Sequence, residues 1–262
     1  ACSPVEYEQE MVFFQVGSSP INRASLTADW PTPTDTWRGL CTNSSFITNV
    51  NATITGGGKL LAAPAVLPAG ADVVLITSNV PNTSFNSFAN LTDTLYVLFQ
   101  CSGNVAGHFA NNTASPAGSR TFSMNFGAGC TDTVTYRTDS LLNINGAHGG
   151  VSALNDGAYA NFTTNGTASY KNYGCVIPYT IQTDSMVLNA PLAITPTFNS
   201  IAPVCQNTTP PVLPTSSTNT IPITGTWNTT VNTASPGTIS YTFTPTAGQC
   251  ATTTTLDVTV KA

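Results

Sequence analysis

Short β-branched and aromatic runs, each bounded by turn formers, recur along the first half of this 262-residue chain. They are Glu10–Val16 (EMVFFQV), Ala71–Thr77 (ADVVLIT), Thr94–Gln100 (TLYVLFQ), Arg120–Phe126 (RTFSMNF) and Thr133–Arg137 (TVTYR). Runs of this length between Gly, Pro, Asn and Ser predict strands. Several are almost continuously apolar, which suits strands buried on both faces between two layers. Leu67-Pro68-Ala69-Gly70 predicts a tight turn into the second run, because Pro presets φ and Gly permits a positive φ. Thr252–Val260 alternates into a last strand. No stretch repeats apolar residues at helical spacing over several turns, and 18 Pro with 20 Gly interrupt the chain, so helix is not expected. The pattern predicts an all-β protein.

Hydrophobic residues make up 41% of the chain, enough for one or two cored domains, while charged residues make up 7% against roughly 25% in ordinary soluble proteins. Thr, Ser, Asn and Gly must therefore solvate the surface. Disorder does not fit, since disordered chains combine low hydrophobicity with high charge. The net charge is -5 and the seven basic residues are scattered, which argues against nucleic acid as a partner. No run of eighteen apolar residues exists, so no membrane span is expected. Ala1-Cys2-Ser3 reads as a mature N-terminus whose secretory signal has been removed.

Seven cysteines are spread widely: Cys2, Cys41, Cys101, Cys130, Cys175, Cys205 and Cys250. None forms a C-x-x-C pair, so zinc and thioredoxin-like chemistry have little support. Wide spacing in a charge-poor chain fits structural disulfides made in an oxidising, extracellular compartment. The odd number leaves one thiol free or paired between chains.

Catalytic signatures are sparse. No Gly-x-Ser-x-Gly elbow, phosphate loop, dinucleotide fingerprint or EF-hand loop occurs. His108 and His148 lie beside glycines and read as loop residues held by hydrogen bonds. Glu6, Glu8 and Glu10 alternate and read as one solvated strand edge. No catalytic residue, cofactor or metal ligand is assigned, and the chain reads as no enzyme. Trp30 and Trp37 lie on or near the long Pro31–Gly58 loop, where two readings stay open: core residues, which is favoured, or an exposed platform for stacking sugars.

The last third, Ile194–Val260, has one Cys near each end, a central Trp, and in order Gly-Thr-Trp (225–227), Tyr-Thr-Phe-Thr-Pro (241–245) and Ala-Gly-Gln-Cys (247–250). It resembles the Ig-like repeat of large surface proteins of gliding and adhesive Bacteroidetes, where such repeats act as spacers or stalks. The preceding part resembles, more loosely, a lamin-tail-like domain. The resemblance is carried by Glu10–Phe14, Leu67–Leu75, Asp132–Tyr136 and Asp156-Gly157-Ala158-Tyr159. Together these imply two disulfide-stabilised β-sandwich domains of Ig-like topology, at residues 1–190 and 191–262.

Connectivity cannot be derived from sequence. The pairing expected on this layout is Cys2–Cys175 across the first domain, Cys101–Cys130 around a polar loop, and Cys205–Cys250 in the second domain. Cys41 is left unpaired or intermolecular. The Bacteroidetes resemblance also implies O-glycosylation at Asp-Ser/Thr-apolar sites: Thr94, Thr133, Ser140 and Ser185. Nine Asn-x-Ser/Thr sequons are only a mild excess for a chain so rich in Asn, Thr and Ser.

The function implied is a non-enzymatic extracellular structural module of a surface adhesin, stalk or fibre. Two alternatives stand beside it: a self-assembling filament subunit that exchanges strands with its neighbours, and a carbohydrate-binding accessory module. Partners on these readings are further repeats, second copies of the chain, surface glycans or other cells.

Overall fold

The computed structural model describes residues 10–17, 19–84, 86–102, 107–109, 118–127, 129–148, 157–163, 165–176, 193–246 and 249–262. Among the described residues the fold is all-β with one α-helix. The chain forms two compact units: Ala1–Phe126 with Thr131–Ala190, and Gly127–Cys130 with Pro191–Ala262. The second unit thus takes in four residues that lie in sequence between two strands of the first, which a linear division at residue 190 does not anticipate.

In the first unit the elements are β1 (Met11–Gln15), β2 (Ile21–Asn22), β3 (Thr27–Asp29), β4 (Leu40–Cys41), α1 (Ser44–Asn51), β5 (Lys59–Ala62), β6 (Val66–Leu67), β7 (Asp72–Ile76), β8 (Thr94–Gln100), β9 (Ser119–Asn125), β10 (Thr131–Arg137), β11 (Ala158–Phe162) and β12 (Ala168–Asn172). The five apolar runs become β1, β7, β8, β9 and β10. The predicted turn closes before β7, where the Ala71 N–H donates to the Pro68 carbonyl at 3.2 Å.

The central sheet runs β1-β7-β8-β4, with β5 also on β8. Because β5 and β7 both pair with Tyr96 and Val97, they occupy opposite edges of β8, and β4 continues the β5 edge. Pairings β7–β8 and β5–β8 are parallel. Strands β7 and β8 are buried almost throughout, as near-continuous apolar sequence requires.

One face of this sheet holds a cluster of Phe13, Val74, Ile76, Leu95, Val97 and Phe99. Helix α1 covers it, with Phe46 edge-on to Phe99 at 5.5 Å and to Phe88 at 6.3 Å. The other face meets the sheet β10-β9-β3: Phe14 of β1 contacts Phe126 after β9 at 5.9 Å, and Trp30, just beyond β3, donates from Nε1 to Gln100 Oε1 of β8 at 3.0 Å. An immunoglobulin sandwich has antiparallel sheets only. The parallel pairs and the helix layer set this unit apart from the Ig-like topology that the resemblance implied.

The second unit contains β13 (Val204–Cys205), β14 (Gly225–Trp227), β15 (Gly237–Pro245) and β16 (Thr254–Lys261), in sheet order β13-β16-β15-β14. Strand β13 runs parallel to β16, and the other pairs are antiparallel. Trp227 packs against two clusters, one around Tyr241 and Val258, the other around Phe243 and Ile223. Its ring lies 5.0 Å from Phe198 and 5.1 Å from Phe243, and its N–H donates to the Pro214 carbonyl at 2.7 Å. Gly225 is required there: a Cβ would fall 2.3 Å from the Thr244 carbonyl oxygen and 2.6 Å from Phe243 Cζ.

Candidate functional site

Two places in the first unit gather chemistry. The first is closed. His108 is 1% exposed and lies between two carboxylates. Glu10 Oε2 accepts from the backbone N–H of His108 and from ring Nδ1, both at 2.7 Å. A carboxylate only accepts, so Nδ1 carries the proton. On the other side, Trp30 Nε1 donates to Gln100 Oε1 at 3.0 Å, which turns the Gln100 amide nitrogen toward His108 Nε2 at 3.1 Å. His108 Nε2 therefore accepts, and the network assigns a neutral imidazole.

Asp35 Oδ2 lies 3.4 Å from that same nitrogen, buried and without a hydrogen bond. The arrangement ties β1, the end of β8 and the loop after β3 together through polar bonds inside the unit. Its ring and the Asp35 carboxylate are shut off from solvent, so its chemistry is that of a structural tie. Glu10 is accordingly no solvated edge, while His108 is a turn residue held by hydrogen bonds, as expected, though buried; Glu6 and Glu8 lie outside the described residues. Among the described residues no group of three His, Cys, Asp or Glu side chains has metal-ligand geometry.

The second place is open. A cleft of about 500 Å³ is lined by Arg23, Trp37, Thr42, Ser44 and an apolar floor that includes Leu26 and Val97. Its wall from Trp37 to Ser44 is held in several ways. Gly39 turns the chain at φ +75°, and its carbonyl accepts from the Cys101 N–H at 3.0 Å. β4 pairs with β8, and Cys41 is bonded to Cys101. Asn43 caps α1 by accepting from the Phe46 N–H at 2.8 Å, and its amide donates to the Asn79 carbonyl at 2.9 Å.

The two tryptophans thus separate. Trp30 is 6% exposed, with His108, Phe109 and Phe122 as ring neighbours, so it is core and no platform. Trp37 is half-buried on the cleft wall and makes no ring contact among the described residues.

The disulfide pattern differs from the expected one. Cys41 pairs with Cys101, Cys130 pairs with Cys250, and among the described residues the free, exposed thiol is Cys205. The physical reason is proximity. β4 lies against the end of β8, with Cys41 opposite Phe99, so Cys101 is next to it. The turn after β9 belongs to the second unit, where Cys130 meets Cys250. Cys205 sits on β13 opposite Lys261, well along β16 from its start beside Cys250. Cys175 is disulfide-bonded, and Cys2, its expected partner, lies outside the described residues.

Of the proposed O-glycosylation positions, Thr94 and Thr133 are exposed and Ser140 is half-buried. Thr133 Oγ1 shares a 2.9 Å hydrogen bond with Ser123. The neighbouring Asp132 carboxyl is raised above its ordinary range by burial. Ser185 lies outside the described residues. Asn161, one of the sequon residues, is buried with its carbonyl oxygen unpartnered, so it is no acceptor in the folded chain.

The sequence hid the two gathered sites for different reasons. Glu10 and Gln100 stand at the ends of apolar strands, where a polar residue usually marks the way out to solvent. Their role depends on His108 reaching both from another segment. Arg23 carries no local motif at all. No protein-family model, curated protein or solved structure matches the chain.

Proposed function

We propose that this chain is a non-enzymatic extracellular structural module that forms part of a surface adhesin, stalk or fibre. The observation that carries the reading is covalent: Cys41–Cys101 and Cys130–Cys250 close spans of 60 and 120 residues in an otherwise charge-poor β-framework. Such closures persist in oxidising compartments and stabilise mainly by restricting the unfolded chain.

The surface chemistry supports the same reading. Outward faces of paired strands carry hydroxyl pairs, Thr121 with Thr135, Ser123 with Thr133 and Thr238 with Thr259, where other proteins place ions. Hydroxyl pairs neither titrate nor weaken with salt, which suits a surface exposed to changing media. With seven Lys and Arg in 262 residues, the chain also offers few sites to trypsin-like proteases. No helix among the described residues is long and apolar enough to cross a membrane.

Brief treatment of intact source cells with proteinase K, followed by peptide identification, tests this. Release of peptides from this chain while a cytosolic marker stays intact is the expected result. Recovery only after lysis contradicts the proposal.

A further inference from the structure

We infer that the Arg23–Trp37 cleft binds a carboxylated sugar, such as a uronic acid residue of an acidic glycan. This goes beyond the structural role proposed above and does not depend on it. The cleft's volume, about 500 Å³, falls within the range of small-ligand sites.

Among the described residues, Arg23 is the only charged one in its lining. One guanidinium nitrogen donates to the Ala63 carbonyl at 2.5 Å, which fixes the side chain, and Arg23 has no carboxylate partner among the described residues. A half-buried guanidinium held in place with donors to spare is built for a planar anion, and a carboxylate matches its fork. Arg38, one residue beyond Trp37, is exposed and adds a second cation on a chain of net charge -5.

Trp37 supplies an indole free of ring neighbours, whose N–H has no hydrogen-bond partner among the described residues. Indole faces stack on the apolar face of a pyranose ring. Thr42 and Ser44 line the same cleft, and their hydroxyls are likewise without side-chain partners among the described residues. Hydroxyl donors and acceptors beside an aromatic plane suit a polyhydroxylated ring, and the Arg23 guanidinium selects its carboxylate. A purely apolar acid would leave those hydroxyls and the indole N–H unused. A neutral sugar would leave the guanidinium unmatched.

The test is titration of the intact, oxidised chain with galacturonate and glucuronate oligosaccharides, by calorimetry and tryptophan fluorescence. Galactose and glucose oligosaccharides of equal length serve as neutral controls, and benzoate as the apolar acid. Uronates should bind at least tenfold tighter than either control and weaken as salt rises. Trp37→Ala and Arg23→Gln should each reduce binding at least tenfold, with Arg23→Lys between them and the wild type. If Arg23→Gln unfolds, having lost the Ala63 bond, Arg23→Lys and Trp37→Leu decide. Equal affinity for neutral sugars, tighter binding of benzoate, no uronate binding, or binding untouched by folded Trp37 and Arg23 variants would each overturn the inference.

Discussion

His108 concentrates the electrostatic cost of the first unit. Its Nδ1–H and backbone N–H are both spent on Glu10, while Asp35 Oδ2 stands buried beside Nε2 with no donor. Removing the ring leaves Glu10 Oε2 without its ring donor and opens a cavity, so His108→Ala should cost about 3 kcal/mol of unfolding free energy. Asp35→Asn acts the other way. It removes a buried, unmatched charge and places an amide in its stead, and should stabilise by about 1 kcal/mol in urea melts at neutral pH. A loss of that size would contradict the assigned proton positions.

Tyr159 makes a separate prediction. It packs 5.7 Å from Phe13 and 5.4 Å from Tyr173, and burial pushes its phenol well above the ordinary value near 10. Below that value both folded and unfolded forms keep the proton, and the contribution is fully present. Above it the unfolded chain ionises while the folded chain holds its proton, so stability falls as pH climbs. Melting temperature measured from pH 8 to 11 should drop, and Tyr159→Phe should flatten the alkaline limb.

At the scale of elements, strands were legible in the sequence and their partners were not. β1, β7 and β8 follow from apolar runs, because a strand buried on both faces has to be apolar at nearly every position, while β9 and β10 follow from alternation, with one buried face and one hydroxyl-lined face. The parallel pairing of β8 with β5 and β7 leaves no such trace, since register depends on segments far apart.

Helix α1 was missed for a physical reason. Its sequence, SSFITNVN, contains no strong helix former, and only two of its residues, Phe46 and Val50, are buried. It exists through tertiary anchoring and the Asn43 cap, the one local signal present. Asn43→Ala should therefore cost about 1 kcal/mol, read from chemical melts.

Cysteines behaved like pairing partners. Composition fixed their role as staples, while the bonds depended on which strands ended side by side. Serine at Cys41 or Cys250 should remove up to about 4–5 kcal/mol in the chain-entropy treatment, whereas Cys205→Ser should leave stability unchanged. A comparable loss from Cys205→Ser would restore the pairing expected from sequence.

For the whole molecule, low charge, hydroxyl-lined sheet faces and long-range disulfides point the same way: stability with little dependence on salt, and strong dependence on oxidation. The candidate binding cleft belongs to that frame, since Cys41–Cys101 fixes the segment that carries Trp37 and Ser44. Reduction is therefore expected to loosen the cleft wall as well as lower the melting temperature.

All of this rests on which sulfurs are joined. The most direct test is peptide mapping of the native, unreduced chain after blocking free thiols at low pH. The expected digest contains one linked peptide pair joining Cys41 to Cys101, another joining Cys130 to Cys250, and a blocked Cys205. A peptide pair joining Cys205 to Cys250, or a chain with every cysteine blocked, would contradict the disulfide-clamped module described above.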